Sequence, residues 1–384
     1  MKTIRVPHLF GSFGVALAIS GLQFLSAIFP CVSAQANPTN FFDWENLQSD
    51  IAGVADRTDL HLVNPWGLAI NPNANPKTGP FWVANNGTGT STLYQPDGTP
   101  FPVPKPLVVT IPPTSADTEP PIHAAPTGAV FNSFPNAFML PDGQPAAFIF
   151  AGEDGSITAW NGGLVPINEA INKVDNSPSG AVYKGLALAV RKGAGPTLYA
   201  TNFNSGNVDM FDENFGPVID PTAFKDPNLP KGYAPFGIAN INGKIYVTYA
   251  LQDADKHDDV KGDGHGFVDV YDTNGHNLQR LISRGLLNSP WGLAKVPDHR
   301  HFGRFDDDDL LVGNFGDGRI NAYNVHSGAP FGPLNHREGQ PLEFNGLWSL
   351  LFFGDDLYFT AGIVDEADGL FGFIHREKGK DSDD

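Results

Sequence analysis

Six short segments of the 384-residue chain line up: "NPWGLA" at Asn64, "APTGAV" at Ala125, "VYKGLA" at Val182, "APFGIA" at Ala234, "SPWGLA" at Ser289 and "GLWSLL" at Gly346. Their spacing of about 56 residues lies near the upper end of propeller-type repeats. After each comes a second apolar run, from "FWVANN" to "LYFTAG", and then a third, from "STLYQPDG" to "GLFGFIHRE", with Asn-Gly and Asp-Gly turns. Alternation of apolar and polar residues between such turns is a strand and hairpin pattern. Fourth strands such as "KPLVVTI" and "NLQRLIS" complete a four-stranded unit. Length alone would suggest two or three domains, but the repeat overrules it. Abundant glycine (43) and proline (33) without long helical patterns agree with short strands joined by turns. The expected fold is all-β: a six-bladed β-propeller over residues 37–376, a closed ring that leaves only short protected edges.

The last repeat lacks a fourth strand, because only the charged residues 377–384, read as a disordered tail, follow "GLFGFIHRE". "NLQSDIAGVADRTDLHLVNPWG" near the N-terminus reads much like "NLQRLISRGLLNSPWG" before the fifth blade. Residues around Leu47 to Val54 are therefore expected to supply the outer strand of the last blade and close the ring. In the PWG-like motif, Pro65, Pro126, Pro235 and Pro290 stand where a loop enters the inner strand and a missing donor is tolerated. Gly67, Gly128, Gly185, Gly237 and Gly292 follow where inner strands crowd the axis. Trp66, Phe236, Trp291 and Trp348 are expected to pack between blades rather than stack on a ligand.

The first 36 residues carry Lys2 and Arg5, an apolar run from Leu9 to Phe29, and small residues at Ala34 and Ala36, the pattern of a secretory signal peptide. A single membrane anchor is the alternative, but Gly11, Ser12, Gly14, Ser20, Gly21 and Ser26 dilute the run. The one cysteine, Cys31, falls inside that segment, so the expected mature chain has no thiol chemistry. Export without disulfides points to a secreted or periplasmic protein, with no membrane span after cleavage. Loss of Lys2 and Arg5 takes the formal charge from −18 to −20, which argues against nucleic acid and anionic membrane as partners.

In propellers, the loops entering inner strands and the hairpins between second and third strands share one face, here called the top. That scheme puts Asn85, Asn86, Glu153, Asp154, Asn202, Asn204, Asn314, Asp317, Asp365, Glu366 and Asp368 on the top. The fourth blade's hairpin, "LQDADKHDDVKGDGHG", is longer than its siblings by about ten residues. Insertions on a rigid scaffold are where chemistry tends to be added. Clustered carboxylates repel unless neutralised, so a divalent cation held by Asp253, Asp255, His257, Asp259 and Asp263 is one expectation, with Ca²⁺ the ion. His257 and His265 would also admit Zn²⁺, iron or Mn²⁺. It is not an EF-hand, because Asp258 stands where that loop needs Gly and Gly264 where it needs Glu. A hydrated acidic hairpin whose Asp residues cap turns is the other reading.

"FDDDDLL" at Phe305 maps to the opposite face as a charged loop, and His123 enters the second blade from the top. No G-x-S-x-G elbow, P-loop, Rossmann fingerprint or H-E-x-x-H is present, so serine-hydrolase, nucleotide and zincin readings lack support.

"NPWGLA", "QDADKHDDV…GHGFVDVYDTNG", "HFGRF…LLVGNFGDGRINAY" and "LYFTAG…EADGLFG" together resemble a family of secreted bacterial proteins, some with a PEP-CTERM sorting anchor. The resemblance covers nearly all of the mature chain and implies a propeller, but brings no established activity. "HREKGKDSDD" departs from it in lacking a PEP motif and a terminal apolar helix. A looser resemblance is to NHL and gluconolactonase-type six-bladed propellers. The lactonases hold a divalent metal at the top of the channel with Glu, Asn and Asp, which implies that Asn85, Asn202 and Asn314 could mimic such ligands.

Two functions follow. The first is a monomeric binding or scaffold propeller whose top face, through Asn85, Glu153, Asn202, Asn314 and Asp365, holds a cation, small molecule, glycan or protein. The second is a metal-dependent hydrolase or lactonase with His257 or Asp259 as general base.

Overall fold

The computed structural model describes residues 41–114 and 124–376. The expected leader, His123 and the charged tail lie outside the described residues. Two strands precede the first repeat, β1 (Phe42–Ser49) and β2 (Arg57–Thr58). Blade 1 is β3 (Pro65–Ala69), β4 (Phe81–Asn85), β5 (Thr90–Tyr94) and β6 (Val108–Thr110); blade 2 is β7 (Pro126–Phe131), β8 (Phe148–Gly152), β9 (Ser156–Trp160) and β10 (Ile171–Asp175). Blade 3 is β11 (Tyr183–Arg191), β12 (Gly195–Asn202), β13 (Asn207–Phe211) and β14 (Pro217–Val218); blade 4 is β15 (Tyr233–Ile241), β16 (Lys244–Leu251), β17 (Phe267–Tyr271) and β18 (Asn277–Ser283). Blade 5 is β19 (Pro290–Lys295), β20 (Asp309–Asn314), β21 (Ile320–Asn324) and β22 (Pro330–Pro333). Blade 6 takes β23 (Leu347–Phe353), β24 (Asp356–Ala361) and β25 (Leu370–Arg376) from the C-terminal end and β1 from the N-terminal end.

The ring closes as expected, but with a strand that starts earlier than the repeat suggested. β1 runs antiparallel to β25 from the Phe42–Arg376 pair to the Ser49–Leu370 pair, with a bulge at Asn46 and Gln48. Phe42 and Leu47 are buried against the last blade. Asp50 to Val54, placed in that strand by the sequence, instead turn away around Gly53, whose φ of +84° suits a residue without a side chain. β2 then adds in parallel to the end of β1.

The PWG-like motif is a β-bulge. The register of the inner strand against its neighbour shifts between Pro65 and Leu68, Pro126 and Ala129, Tyr183 and Gly185, Pro235 and Ile238, Pro290 and Gly292, and Leu347 and Leu350. A bulge bends its strand and re-aims a side chain. All six inner strands thus carry the same kink, and neighbouring blades are stitched there. Thr127 donates to the Tyr183 carbonyl (2.7 Å), Thr201 to that of Phe236 (2.7 Å) and Thr360 to that of Trp66 (2.6 Å).

The glycine of the motif is required by close approach. A Cβ on Gly237 would lie 2.1 Å from the Trp291 carbonyl oxygen, and one on Gly67 would lie 2.3 Å from that of Thr127. Backbone cannot yield as a side-chain tip does, so Gly237→Ala is expected to lower stability by about 1–3 kcal/mol. A urea midpoint equal to that of the parent protein would refute the crowding argument.

Candidate functional site

The six bulges hold Trp66, Thr127, Lys184, Phe236, Trp291 and Trp348 at equivalent positions. Four of the six are aromatic, and they meet one another rather than filling the seams between blades. Trp66 stacks on Trp348 with centroids 3.4 Å apart, while Trp291 meets Trp66 edge-on at 6.2 Å and Trp348 at 5.8 Å. Phe236 of blade 4 lies 5.9 Å from Trp348 of blade 6. Contacts between non-adjacent blades cross the channel, so the expectation of packing between blades is corrected: these rings plug the axis. Phe203 and Phe315, which follow β12 and β20, complete the buried cluster. Below the plug, the inner strands surround a cavity of about 640 Å³ of mixed character, lined by Leu68, Val130, Ile238, Asn240 and Arg300, with Trp291 among its walls.

Lys184 is the exception among the six. Its side chain is only 2 % exposed, and its ammonium lies over the Trp66 ring (5.3 Å to the centroid) and the Phe203 ring (5.9 Å). It donates to Glu153, from the second blade's top hairpin, and to Asp258 Oδ1 (3.1 Å), from the inserted hairpin of blade 4. Burial works against the charged amine, but the Glu153 and Asp258 carboxylates outweigh it and hold the Lys184 pKa above the usual lysine value.

Hydrogen bonds extend from this pair in both directions. Glu153 Oε2 accepts from Asn86 Nδ2 (2.8 Å), Asn64 Nδ2 reaches Asn86 Oδ1 at 3.5 Å, and the same amide donates to Glu366 Oε2 (2.9 Å). Asn64 Oδ1 accepts from the Trp348 indole (3.0 Å), which ties the polar layer to the plug. On the other side, Asp258 Oδ1 pairs with His257 Nδ1 at 2.9 Å. The arc therefore runs from blade 6 through blades 1, 2 and 3 to blade 4.

Several groups in and beside this arc titrate away from their ordinary values, the electrostatic mark of a candidate site. Burial raises the Glu366 carboxyl, partly offset by the Asn64 amide. Burial also raises Asp259, against a lowering contact from Ser289; its Oδ2 is buried without a hydrogen-bond partner among the described residues. Asp258 is driven far down, first by the hydrogen bond from His257 and then, against its own desolvation, by Lys184. His257 is held above 6.5, chiefly by its hydrogen bond to Asp258. A raised imidazole stabilises fully below its unfolded pKa, and that contribution fades as pH rises through the folded value. An NMR titration should place the His257 midpoint above 6.5, and Asp258→Asn should return it toward the ordinary value. A parent midpoint at or below 6.5 would break the assigned pair.

Of the five metal ligands expected in the inserted hairpin, His257 reaches ligand atoms of other residues. Its group comprises Glu153, His257 and Asp258, with donor atoms all within 4.8 Å. Asp253 instead accepts from the His257 backbone N–H (2.9 Å), and Asp255 and Asp263 are exposed. Asp259 lies toward Ser289 and Lys261, and the Lys261 ammonium sits 4.1 Å from the Phe315 centroid. His265 pairs with the Val260 carbonyl (2.8 Å).

Among the top-face residues, Glu153 joins the arc, whereas Asp365 is exposed in a turn at φ 52°. Asn85, Asn202 and Asn314 end the second strands of their blades and bond locally. Asn85 donates to Thr90 and Thr92, Asn202 to Asp209, and Asn314 to the Leu286 carbonyl. The structure does not bring these three together. On the opposite face, Asp306 caps the backbone of Asp308 (3.0 Å) within a tight turn, the structural role expected for that run.

The sequence gives no role to Lys184 or Asn64, and marks Asp258 as a member of the acidic hairpin that breaks an EF-hand pattern rather than as a ligand. Lys184 left a signal nonetheless: lysine occupies a position filled by Trp or Phe in four of the other repeats.

The chain is a six-bladed β-propeller with a plugged axis and a charged mouth. No protein-family model matches it. "Uncharacterized protein R648" of Acanthamoeba polyphaga mimivirus is 30% identical over 344 residues, covering 86% of this chain and 80% of its own length. "Uncharacterized protein L690" of the same virus is 30% identical over 341 residues, covering 85% and 83%. The chain belongs to the family these two represent. Among solved structures, the soluble aldose sugar dehydrogenase of Escherichia coli in its apo-form aligns over 88% of this chain and 100% of its own, with a TM-score of 0.55 and 12% identity. A glucose dehydrogenase aligns over the same shares with a TM-score of 0.53 and 14% identity. At such identities the likeness is one of fold.

Proposed function

We propose that this protein is an exported binding propeller whose channel mouth takes a small, hydroxyl-rich ligand of glycan or polyol type. The observation that carries the reading is the hydrogen-bonded arc of Glu366, Asn64, Asn86, Glu153, Lys184, Asp258 and His257 above a closed aromatic floor. Donors and acceptors alternate along it, and its carboxylates face a buried lysine and a readily protonated imidazole. A neutral ligand with many hydroxyls can both donate to and accept from such an array, without the desolvation penalty of a bare charge. Export is supported by Lys2 and Arg5, the apolar run that follows them and the small residues Ala34 and Ala36.

Saturation-transfer NMR and calorimetry with a panel of saccharides and polyols test this directly. Binding that is lost in Glu153→Gln and Asn86→Ala is expected; binding unaffected by both changes, or none across the panel at millimolar concentration, would remove the reading.

The convergence of Glu153, His257 and Asp258 favours a second reading, a divalent cation there with hydrolase or lactonase chemistry and His257 or Asp259 as base. The two readings part at Lys184. A dication about 4 Å from the ammonium would be repelled by about 8 kcal/mol at an effective dielectric near 20. Hydrolysis of lactones or phosphate esters that stops on chelation would favour the second reading over the first.

A further inference from the structure

We infer that Lys184 is the resident cation of the channel mouth, a covalent substitute for a metal ion, and that its ammonium keeps divalent cations off Glu153, His257 and Asp258. This deepens the binding reading by naming what neutralises the site, and it holds whichever ligand the mouth takes. The inserted hairpin carries a carboxylate and an imidazole inward to meet a third ligand from blade 2, the donor set that zinc prefers when His and carboxylates combine. Yet Lys184 Nζ bonds one oxygen of Glu153 and Oδ1 of Asp258, and that same Oδ1 faces the imidazole.

The lysine cannot swing aside to admit an ion. Its side chain is buried, its backbone carbonyl accepts from the Trp291 indole (2.8 Å), and the following Gly185 is packed against Phe236. The second oxygen of Glu153 is held by Asn86. An entering dication would therefore displace a fixed positive charge from both carboxylates at once.

The test uses the full chain and Zn²⁺ alone as the probe, followed by calorimetry and by elemental analysis after dialysis. Parent protein and Lys184→Arg should show no one-to-one zinc site that depends on Glu153. Lys184→Met keeps an apolar stem over the Trp66 and Phe203 rings and removes the charge. It should bind one Zn²⁺ at least about 100-fold more tightly than the parent, and adding Glu153→Gln should abolish that gain. Lys184→Gln serves as a second uncharged variant should the methionine change compromise folding.

A parent protein that binds one Zn²⁺ and loses it on Glu153→Gln would overturn the inference, as would folded uncharged variants that bind no better than the parent. If neither uncharged variant folds, the parent decides: Glu153-dependent zinc binding refutes the inference, and its absence supports it. The saccharide titrations use the parent protein without metal, so failure of the ligand reading and failure of the lysine's role give separate results.

Discussion

A chain shortened to begin at Asp50 is expected to lose cooperative folding. The change removes β1 and with it the outer partner of β25, exposing a strand edge that the ring otherwise covers. It also removes Phe42, stacked near Phe302 and Phe305, and Leu47, both buried. Truncating one such side chain costs about 2–5 kcal/mol, against a typical whole-protein stability of about 5–15 kcal/mol. The loss is therefore comparable to the total. Thermal melts and limited proteolysis should show early cleavage in blade 6, and a synthetic peptide spanning residues 42–49 should restore protection when added in excess. An unchanged melting temperature in the shortened chain would mean that the clasp contributes nothing.

Lys184→Met is expected to lower stability by about 3–5 kcal/mol, the usual result of removing one partner from a buried ion pair. Glu153, with its side chain 13 % exposed, would be left without its counter-charge and with the Asn86 amide as its remaining partner. Adding Glu153→Gln should recover most of the loss, because the pair is then neutral; Asp258, at 67 % exposed, can turn to water. A single change costing less than about 1 kcal/mol, or a double change no better than the single, would show that the pair is not coupled. The sign of the pH dependence follows from the raised lysine. Its contribution is complete below the unfolded value of 10.5 and fades only as pH climbs through the higher folded value, so it should stay constant across neutral pH.

The ring was legible in the sequence because one physical device recurs six times. Proline, a bulky residue and glycine mark it in blades 1, 4 and 5, and the variants Pro126-Thr127-Gly128, Tyr183-Lys184-Gly185 and Leu347-Trp348-Ser349 carry the same bulge in blades 2, 3 and 6. Closure by the N-terminal segment was legible too, but its register was not: "NLQS" matches "NLQR" in letters, while the strand is set by Phe42 and Leu47 facing the core.

The mouth was harder to read, for two reasons. Asn85, Asn202 and Asn314 look like ligands at strand ends, yet their amide nitrogens donate within or beside their own blades. Spacing rules borrowed from calcium loops favoured residues 253, 255 and 257, whereas the hairpin bridges Gln252 to Asp259 and carries Asp258 to Lys184. Glu153 was found because it lies on the right hairpin. Lys184 is hidden because its column holds packing aromatics in four blades, and a charge at such a position is visible only when the six repeats are compared column by column.

The stacked indoles give the molecule a direction. With Trp66 and Trp348 in contact at 3.4 Å and Trp291 closing against both, the axis is no conduit. The lower cavity and the charged mouth lie on opposite sides of this aromatic wall. Among the described residues, Lys184 meets exposed groups on its top side, at His257 and Asp258. The inserted hairpin of blade 4 is, among the described residues, the top hairpin that stands beside that mouth and supplies both of its exposed groups.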